Sequence, residues 1–272
     1  VHNKHVVENL KKKGAIFIDE LDEILDFNRP VIFSAHGVPK TVPAKALKLN
    51  LKYFDATCPL VSKIHREVEN FEKQNIPIIL IGHKNHPEVI GTMGQIKSLI
   101  YLVEKEEDLD NLPFDANQKI AYVTQTTLSV DDTKLIIEKI KSKFKKVIEP
   151  RKNDICYATT NRQNAVKKIA AKCDIFVVIG AKNSSNSLRL KEVAELYGTK
   201  KSMLLEKIED FDHSLLKNNT ILGITASASA PEILVQNFIQ MLKKNYSIKV
   251  NEQSYESENV IFKIPQTLKA II

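Results

Sequence analysis

The chain has 272 residues, 43% of them hydrophobic and 27% charged, enough for one large or two to three smaller domains with their own cores and too apolar for a disordered chain. No run of about 18 apolar residues appears and no charged-then-apolar leader, so a cytoplasmic protein with no membrane partner is expected. The formal charge of +7 raises nucleic acid as a partner. However, among the 40 basic residues only Arg29, Arg66, Arg151, Arg162 and Arg189 are arginines, and no aromatic-basic run offers a stacking platform. Acidic residues interleave with the lysines, which marks a solvated surface, so no nucleic acid is expected.

In chain order the strand candidates are Ala15–Ile18, Pro30–Ser34, Lys52–Asp55, Pro77–Ile81, Ile100–Val103, Lys119–Thr124, Lys146–Glu149, Asp174–Ile179, Lys201–Leu205, Thr220–Thr225 and Val260–Ile264. Several are Ile/Val-rich without alternation, as in strands covered on both faces. Between them lie amphipathic helical patterns. Val61, Ile64, Val68 and Phe71 follow Cys58, Leu135, Ile136 and Ile140 follow Asp132, and Ile233, Leu234, Phe238 and Leu242 follow Pro231. Strand and helix in alternation predict an α/β fold with mainly parallel sheets, whose functional groups collect at the carboxyl ends of strands.

The chain repeats itself. Cys58 to Gly82 and Cys156 to Gly180 are both 24 residues, and Cys58 to His86 and Cys156 to Ser184 are both 28. "TCPLVSKIHREV" and "ICYATTNRQNAV" both run from Cys into a helix. "ILIGHKNHPE" corresponds to "VVIGAKNSSN", and "VTQTTLSVDD" to "GITASASAPE". This predicts tandem α/β units of about 98 residues. "VHNKHVVENL" and "VIFSAHGVP" extend the pattern backwards, which puts the first unit's cysteine before Val1. The first domain is therefore expected to be incomplete and the chain to lack an opening segment. The division expected is residues 1–57, 58–155 and 156–250, with a tail at 251–272.

Three such units about a pseudo-threefold axis would bring their cysteines to a common centre. A helix N-terminus favours an anionic sulfur, and three thiolates suit zinc or an iron-sulfur cluster with one position open to substrate. Cys58 and Cys156 are thus candidate metal ligands, against the alternative of small buried fillers. Cys173 has no counterpart in the repeat and reads as structural. His83, His86 and Glu88 in "GHKNHPE" could serve as metal ligands or as a proton relay. The hydroxyls and amides of "KNSSNS" (Lys182–Ser187) exceed what a helix cap needs and suit an anionic oxygen. Thr126, Thr127 and Ser229 end the corresponding strands, and His2 and His36 complete the matching positions. His5, His65 and His213 read as surface residues. No Walker loop, dinucleotide glycine fingerprint, nucleophile elbow or His-Glu-x-x-His is present. The alternatives to weigh are a zinc-dependent hydrolase on His83, His86 and Glu88, and a phosphate-binding module.

Taken together, "FSAHGV", "FDATCPLVSKIH", "IGHKNHPEVIGTMGQ", "VTQTTLSVDDT", "NDICYATTNRQ", "GAKNSSNSLRL" and "ITASASAPEILVQN" resemble the 4-hydroxy-3-methylbut-2-enyl diphosphate reductase family over essentially the whole chain. The resemblance implies three α/β domains around a central 4Fe-4S iron-sulfur cluster, with Cys58 and Cys156 as two of its three cysteines and Glu88 as the proton donor. It further implies His86, Thr126 and Thr127 near the substrate hydroxyl, and His2, His36, Ser184, Ser185, Asn186 and Ser229 around the diphosphate. The electron donor it implies is ferredoxin or flavodoxin. The third cysteine would lie in a "GFCAGV"-like segment before Val1, so the chain as written is expected to be inactive.

Overall fold

A computed structural model describes residues 3–253, 258, 260–262 and 264. Among these the elements are α1 (Lys4–Lys12), β1 (Val31–Phe33), α2 (Thr41–Lys48), β2 (Tyr53–Asp55), α3 (Pro59–Lys73), β3 (Ile78–Ile81), α4 (Pro87–Met93), β4 (Ile100–Val103), β5 (Lys119–Thr124), α5 (Val130–Lys143), β6 (Lys146–Ile148), α6 (Tyr157–Ile169), β7 (Ile175–Ile179), α7 (Ser185–Leu196), β8 (Lys201–Leu205), β9 (Leu222–Ala226) and α8 (Glu232–Asn245). Short 3-10 turns connect several of them.

The strands form three all-parallel sheets, β1-β2, β4-β3-β5-β6 and β8-β7-β9. The orders β4-β3-β5 and β8-β7-β9 are the same: the strand after each cysteine helix is central, the next pairs on one side and the third on the other. The repeat read from the spacing of cysteines is thus a repeat of topology. Chain contacts divide the molecule into two compact units. One comprises Val1–Ile16, Thr127–Ser129 and Tyr157–Asn259, the other Phe17–Thr126, Val130–Cys156 and Val260–Ile272.

The central strands explain the unalternating apolar runs. Phe176 and Val178 of β7 pack with Val166, Leu190, Val193 and Ala194 of the flanking helices. Ile175, Val177 and Ile179 point the other way, into Phe211, Phe238 and Leu242. A strand whose alternate side chains enter two cores reads as continuously apolar. In the other unit, Ile78 and Leu80 of β3 meet Ile64 and Val68 of α3 together with Val89, Ile96 and Val123. Each such fully buried side chain contributes about 1.5–3 kcal/mol by removal from water.

Two expected strands do not form. After α1, Gly14 at φ +91° reverses the chain: Gly14 N–H donates to the Lys11 carbonyl and Ala15 N–H to that of Leu10, the paired bonds of a left-handed helix stop. Ala15–Ile18 continues from this stop with Ile16 and Phe17 exposed and joins no sheet among the described residues. Val260–Ile264 likewise forms no strand at its described positions 260–262 and 264. The lysine-rich ends of α1 and α5 place Lys11, Lys12, Lys141 and Lys143 in last turns, where cations complement the helix dipole.

Candidate active site

α4 opens with His86 in the cap position and Pro87 in the first turn, and the His86 Nδ1 accepts the Glu88 N–H at 3.2 Å. Proline suits this place because its fixed φ is helical and it has no N–H to satisfy. The same helix start aims Glu88 at the end of β5. There Thr126 N–H donates to Glu88 Oε1 at 2.7 Å and Thr126 Oγ1 donates to Oε2 at 2.9 Å. Glu88 is 3% exposed. Burial pushes its carboxyl up to about 7, against the two Thr126 hydrogen bonds that pull it down, with the Asp154 charge adding to the rise. A carboxyl that changes charge near neutral pH suits proton transfer.

The repeat makes the chemistry of this position visible. In the other unit Asn186 occupies the counterpart of Glu88, and its Oδ1 accepts the Ala228 N–H at 3.0 Å, as Glu88 accepts that of Thr126. One fold position therefore carries an acid in one copy and a neutral amide in the other. Ser184, counterpart of His86, caps α7 by accepting the Ser187 N–H at 3.4 Å. Asn186 Nδ2 donates to Thr159 Oγ1 at 3.2 Å, and Ser185 Oγ donates to the Thr127 carbonyl at 3.1 Å. Ser184 and Asn186 are buried and Ser185 half-buried. Ser229 is exposed, its Oγ 3.4 Å from that of Ser227. Much of the polar capacity of "KNSSNS" is thus engaged within its own unit.

The two cysteines share a backbone clamp. Cys58 caps α3, and its N–H donates to the carbonyl of Ala35, two residues beyond β1, at 3.0 Å. Cys156 directly precedes α6, and its N–H donates to the carbonyl of Thr126, two residues beyond β5, at 2.9 Å. Both are half-buried and neither is in a disulfide. Cys173 lies among the apolar side chains of one core. Its Sγ donates to the Ile169 carbonyl at 3.3 Å, and burial pushes its thiol up.

His36 and His86 meet edge to face with ring centroids 5.8 Å apart. The loop that bears His36 is held against α4: Gln95 Nε2 donates to the carbonyls of Val38 and Gly91 at 2.8 and 2.7 Å. Gly91 lets the two backbones approach, since a Cβ there would stand 3.0 Å from the Gly37 carbonyl. His65 is not the surface residue its sequence suggested. It lies under Gly37, its Nε2 is buried without a hydrogen-bond partner, and desolvation, outweighing Asp55 and Glu69, lowers its pKa. His213 also departs from the surface expectation, with Nδ1 2.9 Å from the Tyr246 hydroxyl. Gly37 itself sits at φ +77°, and a Cβ there would meet His65 Cε1 at 2.5 Å. Gly37→Ala should cost about 2–4 kcal/mol, from the left-handed backbone and from overpacking together. An unchanged denaturation midpoint would contradict this account of the loop.

His83, His86 and Glu88 do not form a metal centre. His83 N–H donates to Gln125 Oε1 at 3.0 Å, His83 Nδ1 is 3.9 Å from Glu104, and both Glu88 oxygens face Thr126. Among the described residues no three His, Cys, Asp or Glu side chains converge on a metal-sized space. His2 lies outside the described residues. Sequence reasoning missed Lys63 within α3, Gln125 just past β5 and Asp154 shortly before α6. Asp154 in particular is buried, with its carboxyl pushed up by burial against the pull of Lys63.

A repeated parallel α/β chain with thiols clamped at two helix starts and a buried, neutral-range acid at a strand end defines a thiol-bearing α/β enzyme. Comparison with known proteins narrows this. A family profile described as LytB protein matches residues 1–243. Two curated proteins named 4-hydroxy-3-methylbut-2-enyl diphosphate reductase are similar: that of Methylocella silvestris at 49% identity, over 99% of this chain and 85% of its own, and that of Gluconobacter oxydans at 50%, over 98% and 81%. The solved E-1-hydroxy-2-methyl-but-2-enyl-4-diphosphate reductase of Plasmodium falciparum superposes with a TM-score of 0.93 at 40% identity, covering 100% of this chain and 85% of that one. The chain belongs to the LytB protein family. No described helix is long and apolar enough to cross a membrane.

Proposed function

We propose that the protein reduces 4-hydroxy-3-methylbut-2-enyl diphosphate to isopentenyl and dimethylallyl diphosphate, the last step of the non-mevalonate isoprenoid pathway. The observation that carries the reading is the buried Glu88 carboxyl, gripped by Thr126 and titrating at about 7, in a chain half identical to curated reductases of that name. The overall change takes up two electrons and two protons, breaks the allylic C–O bond and releases water, so a group that gives up a proton near neutral pH is required.

Cys58 and Cys156 suit ligation of an iron-sulfur cluster: both are half-buried thiols outside disulfides, with the same backbone clamp at a helix start. Cys58 and Cys156 would hold a 4Fe-4S cluster, which would supply electrons one at a time and Lewis-acid character toward the hydroxyl. Glu88 delivers the proton through Thr126, whose hydroxyl it holds at 2.9 Å, and His86 fixes the backbone from which Glu88 projects. Thr127 takes part at the substrate hydroxyl. His2, His36, Ser184, Ser185, Asn186 and Ser229 hold the diphosphate, with neutral donors and a helix start suited to an anion. Ferredoxin or flavodoxin supplies the electrons. Free thiols suit the reducing cytoplasm. The domain division proposed is residues 1–57, 58–155 and 156–250 with a tail at 251–272, and it rests on the repeat.

The test uses protein expressed from the full natural reading frame and reconstituted without oxygen. Iron and acid-labile sulfide are measured per chain, and products are followed with a chemical one-electron reductant. Cluster uptake with formation of both five-carbon diphosphates is expected. A fully loaded protein that leaves the substrate unchanged would overturn the reading, and so would zinc in place of iron and sulfide.

A further inference from the structure

One buried carboxylate joins the segments that carry the two cysteines. Asp154 stands two residues before Cys156, and its side chain is 0% exposed. Its Oδ1 receives the Lys63 ammonium at 2.7 Å, and its Oδ2 accepts the N–H of Thr124, the last residue of β5, at 3.0 Å. Lys63 lies on α3, five residues beyond Cys58. It donates further to the Lys152 carbonyl at 2.8 Å and lies 3.6 Å from Glu67. Two residues past Thr124, Thr126 grips Glu88 through its N–H and hydroxyl and holds the Cys156 N–H through its carbonyl. Both charges of the pair are largely withdrawn from water, so losing one partner leaves the other uncompensated. Exposed pairs such as Lys134–Glu138 carry no such penalty.

We propose that Lys63 is a positioning residue for the metal centre: through Asp154 it fixes the Cys156 segment and the end of β5 against the Cys58 helix, so that both sulfurs are presented to an iron-sulfur cluster in one geometry. This rests on the reading of Cys58 and Cys156 as cluster ligands. Partners one step behind the ligands orient them, and their removal characteristically weakens metal binding about 10–100-fold.

The test compares the full-length reconstituted wild type with Lys63→Met, Lys63→Arg and the distant core variant Ile140→Val. Two properties are read without turnover: the rate of iron loss to a chelator and the electron paramagnetic resonance spectrum of the reduced cluster. Lys63→Met is expected to lose iron about tenfold faster or more, with a shifted spectrum. Lys63→Arg should restore both, and Ile140→Val should melt lower with both unchanged. If Lys63→Met does not fold, Lys63→Gln, which keeps a donor without the charge, takes its place. Wild-type iron retention and spectrum in the neutral variant would overturn the positioning role alone. A wild type that takes up no iron and sulfide would overturn the cluster reading, and the positioning role with it.

Discussion

Replacing Glu88 with Gln is expected to leave substrate binding within a few fold while turnover falls by about 10²–10⁴, the usual contribution of a positioned proton donor. Gln is nearly isosteric and its amide oxygen still accepts from Thr126, but it has no proton to release. The wild type should also lose kcat/KM as pH rises through about 7, where the buried carboxyl ionises, and any residual rate of the variant should lack that limb. Stability follows the same group. The carboxyl is raised in the folded protein, so its contribution is fully present below about pH 4.5 and is lost as pH rises to about 7. The stability of wild type relative to Glu88→Gln should therefore decline across that window by an amount on the order of 3 kcal/mol, as the shift implies. Near-normal turnover in the variant would remove Glu88 as the proton source.

Cys58→Ser and Cys156→Ser should each abolish retention of iron and sulfide, and turnover with it, because a serine hydroxyl is a hard and weakly acidic ligand beside a thiolate. Both positions are half-exposed helix starts, so each variant should melt close to the wild type in the metal-free state. Cys173→Ser is expected to behave in the opposite way. Its sulfur is packed among Val166, Phe176 and Leu190, so the substitution should lower the melting temperature and leave iron content intact. Loss of iron in Cys173→Ser, or full retention in either of the other two, would reverse these assignments.

The repeat was legible because it is written in spacing: two cysteines, two strand-ending glycines and two polar helix starts recur at equal intervals, and local elements with such punctuation form wherever they fall in a chain. The strands themselves were legible where they are central, since β7 and β3 must be apolar on both faces. The Ala15–Ile18 expectation failed because an apolar run becomes a strand only if a neighbour is there to pair with it, and Gly14 turns the chain away. His65 was misread for a related reason. Helical periodicity tells which face a residue is on, but not that a glycine from a loop 28 residues upstream will cover that face.

The sequence by itself determined the parallel α/β class, the repeated strand order and the placing of Cys58, Cys156 and Glu88 at helix starts, because each depends on residue type and short-range order. The three-dimensional fold alone decided what surrounds those groups. It buried Glu88 against Thr126 and so set its proton affinity near neutrality, engaged the polar atoms of Asn186 with Thr159 and Ala228, and turned Asp154 inward onto Lys63. Those outcomes depend on contacts between residues 27 to 91 positions apart, and burial and charge pairing at such range exist only once the chain has packed.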